Sequence, residues 1–144
     1  MGTYETLNDV LVNLFRDITG IEQKAVRELG YPDITINDLH VIEAIGAGEQ
    51  KSMSSIARAL SVTVGTLTIS VNSLVKKGYV IRQRSSEDRR VVLISLSPKG
   101  KDAFKHHAGF HQSMIDSIVK ELTPEEMTAL TKALAKLNSW FRGF

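Results

Sequence analysis

The chain of 144 residues has no cysteine. That excludes disulfides and thiol redox sensing, and it fits a cytoplasmic location. No apolar run approaches the roughly 20 residues that a membrane-spanning helix needs. The N-terminus lacks the basic and apolar regions of a secretory leader, so no membrane partner is expected. No repeat and no low-complexity segment occurs. There is no phosphate-binding glycine loop, no HExxH and no nucleophile paired with a base. Ser54-Ser55 and the histidines have no triad context, so enzymatic activity is not expected. One further absence is local: no carboxylate stands between Glu49 and Glu87.

What fills that acid-free stretch organises the chain. Ile56, Ala57 and Leu60 recur at helical spacing from Ser54 to Leu60. Ser61-Val62 breaks the pattern, and Thr63 can cap a second helix through its hydroxyl. From Thr63 to Lys77, Leu67, Val71 and Leu74 form one apolar stripe that should face a core. Gly78 ends the helix, with Lys76 and Lys77 in its last turn, where cations suit the helix dipole.

Tyr79–Arg84 reads as a strand and Val91–Leu96 as its β-branched partner. The polar turn Ser85-Ser86-Glu87-Asp88-Arg89-Arg90 joins them. Two short helices and a basic-tipped hairpin make a winged helix-turn-helix. The fold class expected is therefore mostly α with a small β-wing.

The exposed face of the second helix carries Gly65, Ile69, Asn72 and Lys76, flanked by Thr66, Thr68, Ser70 and Ser73. Small donors and acceptors with one apolar group are what base edges in a major groove require. The same composition also fits a solvated, hydroxyl-rich surface. Charge favours the first reading. From Lys76 to Lys101 there are eight basic and two acidic residues, a local charge of +6, while the whole chain carries only +2. Positive charge is thus concentrated where phosphate would lie.

The expected double-stranded DNA contacts are Thr63, Thr66, Thr68, Ile69, Asn72 and Lys76 on the helix, with Arg84, Ser85, Arg89 and Arg90 on the wing. The wing arginines suit the negative potential of a minor groove. Asp88 is expected to hold a neighbouring arginine (Arg82, Arg84 or Arg90) by a bidentate pair, so Arg82 and Asp88 are the expected wing-orienting residues.

Around this unit lie longer helices. The first is predicted from about Thr6 to Leu29, with Leu7, Val10, Leu11, Leu14, Phe15, Ile18 and Ile21 as its stripe. A second runs from about Asn37 to Ile45. Ser97-Pro98 opens a fifth helix that ends near Leu122. Thr123 with Glu126 is a capping box for a sixth, which sets Met127, Leu130, Leu134, Leu137, Phe141 and Phe144 at steps of three and four. Residues 1–144 read as one domain, with 35–97 as the winged unit and 1–34 and 98–144 as dimerisation helices. A homodimer through these terminal helices accounts for the apolar surplus. An intramolecular hairpin of the last two helices is the other arrangement the pattern allows.

With these residues in view, the whole chain resembles a MarR-family transcriptional regulator. The resemblance rests on Lys77-Gly78-Tyr79, on Asp88-Arg89-Arg90 in the wing and on Leu96-Ser97-Pro98-Lys99-Gly100. Within the family it is most similar to the FabT-type repressors of fatty-acid-synthesis genes. That similarity runs through Leu39-His40, Val62-Thr63, Gly65-Thr66, Thr68, Ser70, Asn72, Arg82, Arg84-Ser85, Val91-Val92 and Phe110-His111. It implies a homodimer on a palindromic operator, with acyl groups on acyl carrier protein as co-repressor. Leu14, Ile18, Val41, Ile45, Phe104 and Phe110 are then candidates for an acyl tunnel, although each also suits an ordinary core.

Zinc-responsive members of the same family offer an alternative. Glu22, His40, His107 and His111 match the types and places of their ligands, a Glu late in the first helix and histidines in the second and fifth. Those regulators' companion site uses a cysteine, which this chain lacks. The plainer expectation is that the histidines satisfy buried hydrogen bonds and that no cofactor is required.

Overall fold

A computed structural model describes residues 1–144. In chain order the elements are α1 (Thr3–Asp9), a π-helical turn (Val10–Leu14), α2 (Phe15–Glu28), α3 (Ile36–Ile45), β1 (Lys51–Ser52), α4 (Met53–Leu60), α5 (Val64–Lys77), β2 (Val80–Arg84), β3 (Val92–Leu96), α6 (Pro98–Lys120) and α7 (Pro124–Arg142). The chain divides into two compact units, residues 1–108 and 109–144. No single helix is long and apolar enough to cross a membrane.

The core of the first unit is built on the stripe expected of α5. Leu67, Val71 and Leu74 are buried, together with Leu39, Ile42 and Ile45 of α3, Ile56 and Ala57 of α4, and Ile94 and Leu96 of β3. Thr63 caps α5 by accepting from the Thr66 amide at 3.1 Å, a contact type that contributes about 1 kcal/mol. Gly78 closes the helix with φ of 89°, a left-handed geometry that glycine adopts without strain. Ser52 caps α4 in the same way through the Ser55 amide, at 3.2 Å.

Two departures from the sequence reading stand out. The wing is a three-stranded antiparallel sheet of order β1-β3-β2, not a two-stranded hairpin. Lys51 pairs with Ile94 and Ser52 with Leu93. A strand of two residues is too short to show an alternating pattern. The first helix also begins earlier, at Thr3, where the Glu5 carboxylate accepts from the Gly2 amide at 3.0 Å. It passes through the π turn before resuming as α2. Its apolar stripe exists but stays uncovered: Leu7, Val10, Leu11, Leu14, Phe15 and Ile21 are exposed.

The sequence elements on either side of the wing dock on each other. Ser97 donates its amide to the Tyr79 carbonyl at 3.0 Å and its hydroxyl to the Gly78 carbonyl at 2.6 Å. The Gly100 amide donates to Ser97 Oγ at 3.1 Å. Lys99 Nζ stands 4.4 Å over the Tyr79 ring. Lys77 reaches across to α3, donating to Asp38 Oδ2 at 2.9 Å and to the Asp33 carbonyl at 2.7 Å. Asp38 in turn accepts from the Thr35 amide and so completes the capping box of α3. The C-terminal end of α5 is thereby tied to both α3 and the sheet.

The second unit holds the end of α6 and all of α7. Thr123 and Glu126 form the expected capping box, with the Thr123 amide donating to Glu126 Oε1 at 2.9 Å. Leu130, Leu134, Leu137 and Phe141 remain exposed on α7, and so does Phe144 just beyond it.

Candidate nucleic-acid interface

α5 turns one face to the core and leaves the other open. Gly65, Ile69, Asn72 and Lys76 are exposed on that open face, and Ile69 is 74% accessible although it is apolar. Thr68 donates its hydroxyl to the Val64 carbonyl at 2.8 Å, so its oxygen is left to accept. Thr66 Oγ receives the Thr63 hydroxyl at 3.0 Å. Ser70 is half-buried and meets Asn37 Nδ2 at 3.4 Å.

At the wing tip, Ser85 spends its hydroxyl on the turn. Ser85 Oγ accepts from the amides of Glu87 and Asp88, at 3.2 and 3.3 Å. Arg84 Nη1 donates to the Arg89 carbonyl at 2.8 Å. Asp88 accepts from Arg90 at three points: the amide and Nε reach Oδ1 at 3.1 Å each, and Nη2 reaches Oδ2 at 3.3 Å. The guanidinium and amide of Arg90 hold the Asp88 carboxyl below its usual pKa, so it stays ionised. Of the three partners considered for Asp88, the structure selects Arg90.

Arg82 is therefore placed differently from the sequence reading. It does not pair with Asp88. Its Nη1 donates to Asn72 Oδ1 on α5, joining strand β2 to the open helix face. Nothing local in the sequence signals this contact, because the partners lie ten residues apart on different elements. A second feature missed from sequence is a cleft of about 370 Å³ lined by Ser52, Met53, Ser54, Val64, Arg90 and Val92. It brings Arg90 beside the starts of α4 and α5.

The expected tunnel residues stand in different surroundings. Ile45 is fully buried in the core and Leu14 is 48% exposed. Ile18 is half-buried, Phe104 packs on the core, and Phe110 belongs to the second unit. Val41 is buried in α3 and borders a small cavity of about 130 Å³, which His40, Leu60, Thr66 and Leu67 also line.

The four expected metal ligands are not equally placed. Glu22 and His107 are both buried, with Oε1 and Nε2 3.7 Å apart. His111 follows His107 one turn later on α6, in the second unit. His40 is exposed and faces the small cavity against α5 instead. Spacing along the chain could not reveal that His40 borders this cavity.

A MarR family model matches residues 33–91, the stretch from the start of α3 to the wing. The regulator BilQ of Clostridium symbiosum is 31% identical over 112 residues, covering 77% of each chain. The match to the helix-turn-helix regulator YwhA of Bacillus subtilis, 30% identical, spans 62% of that protein's length. The crystal structure of Streptococcus pneumoniae FabT in complex with DNA superposes with a TM-score of 0.91 and 34% identity, covering 97% of this chain and 98% of that one.

Proposed function

This chain belongs to the MarR family of DNA-binding transcriptional regulators, and on that premise we propose that it is a homodimeric repressor of fatty-acid-synthesis genes. It is a DNA-binding regulator and not an enzyme. The observation that carries the finer reading is the end-to-end likeness to FabT, a protein seen on DNA. Acyl groups on acyl carrier protein are the co-repressor class that this resemblance supplies.

Dimerisation is supported by the uncovered apolar residues on α1, α2 and α7. Burying them against a second copy would gain about 25 cal/mol for each Å² of apolar surface removed from water. Two recognition helices in one dimer would then meet successive major grooves, roughly 34 Å apart. A ligand that favours this spacing over others raises operator affinity, because it binds one conformer better.

A metal-responsive repressor is the second reading. The buried approach of Glu22 and His107 favours it. The exposed His40 and the absence of cysteine count against it. The ligand set fits a metal only in part.

One titration separates the two. A fluorescent duplex from a fatty-acid-synthesis promoter is titrated with protein alone, with long-chain acyl-loaded carrier protein, and with zinc. Tightening by the acyl-loaded carrier alone supports the first reading. Tightening by zinc alone replaces it with the second. A duplex bound equally in all three arms removes both effectors.

A further inference from the structure

The contact between Arg82 and Asn72 has a consequence for base recognition. A guanidinium has five donors and no acceptor. The Asn72 atom it meets is therefore the carbonyl oxygen, as the structure has it. The amide nitrogen, with its two hydrogens, is the part of Asn72 left to the open face of α5. Arg82 is itself exposed and retains further N–H groups. The nearest acids in sequence are Glu87 and Asp88, and Asp88 is committed to Arg90. Lys76, one turn along from Asn72, adds another donor without an acceptor.

A free asparagine reads adenine by donating to N7 while accepting from the N6 amino group. That mode needs Oδ1. Here a cation is parked against Oδ1, and its charge also opposes the approach of an amino donor. Guanine offers two acceptors side by side, O6 and N7, and asks only for donors.

We propose that Asn72 and Arg82 form a single donor-only reading unit that selects guanine over adenine in each half-site. Arg82 is thus a specificity residue supplied by the wing strand rather than by the recognition helix. The inference rests on the DNA-binding reading of this face and adds to it the base that the face prefers.

The test is selection from a randomised double-stranded oligonucleotide library by full-length wild type and by Arg82→Ala, with melting temperature as the folding control. Wild type is expected to enrich a palindrome with one invariant guanine per half-site. Arg82→Ala frees Oδ1 and is expected to shift that position to adenine. An enriched motif without such a guanine overturns the inference, and so does one that Arg82→Ala leaves unchanged. Failure of wild type to enrich any motif would instead remove the DNA-reading assignment, and this inference with it. If Arg82→Ala enriches nothing, the wild-type duplex carrying 7-deazaguanine at the selected positions decides. Loss of the N7 acceptor should weaken wild-type binding roughly tenfold, and undiminished affinity overturns the proposal.

Discussion

Asp88 holds both the backbone amide and the side chain of Arg90, two residues further along the wing tip. This fixes the arginine's direction before DNA arrives, so less side-chain entropy is lost on binding. Asp88→Asn keeps the size but removes the charge and one acceptor. DNA affinity should fall roughly tenfold, in line with loss of a charge-assisted hydrogen bond, while the melting temperature stays near that of wild type. Fluorescence anisotropy and thermal melts on the same samples check this. Unchanged affinity would mean that Arg90 needs no support.

Gly100 sits where a side chain cannot. A Cβ there would lie 2.0 Å from the Tyr79 carbonyl oxygen. Gly100→Ala must push α6 away from the strand that follows Gly78, breaking the Ser97 contacts. A loss of about 3 kcal/mol or more is expected from such overpacking. Urea denaturation measures it, and a change below about 1 kcal/mol would show that α6 shifts freely.

Tyr79 is fully buried and donates its hydroxyl to Asp33 Oδ1 at 2.8 Å. Burial, and then this hydrogen bond, raise its pKa well above the ordinary value. The folded state therefore keeps a proton that the unfolded chain releases above about pH 10. The stabilisation is complete below that pH and is lost as pH rises toward the folded-state value. Tyr79→Phe should cost about 1 kcal/mol at neutral pH. The stability gap to wild type should narrow above about pH 10. Denaturation at pH 7 and pH 10.5 would show it, and a gap that widens at the higher pH would contradict the assignment.

Much of the winged unit was legible because its signals are local. Thr63 caps, Gly78 stops, and Leu67, Val71 and Leu74 mark a buried face within one helix. Thr123 with Glu126 is equally local. Features that depend on tertiary approach were not legible. β1 has only two residues and exists because β3 offers it an edge. Arg82 meets Asn72 rather than Asp88 because β2 runs back beside α5. Likewise, the pairing of Lys77-Gly78-Tyr79 with Leu96-Ser97-Pro98-Lys99-Gly100 is visible in sequence as two motifs. Its physical reason, one carbonyl stacked against one glycine, appears only in three dimensions. His40 shows the same limit, since its residue type matched a ligand set and its face did not.

Ile69 stands in the middle of the open face of α5, the proposed DNA contact, without supporting the core. Ile69→Glu places a carboxylate there while removing almost no buried contact. The most direct measurement is anisotropy with a duplex selected by wild type, alongside a thermal melt. Affinity should drop by about a hundredfold or more, because a like charge pressed against the phosphates costs several kcal/mol, and the melting temperature should not move. A variant that melts like wild type and binds DNA as tightly would contradict the account.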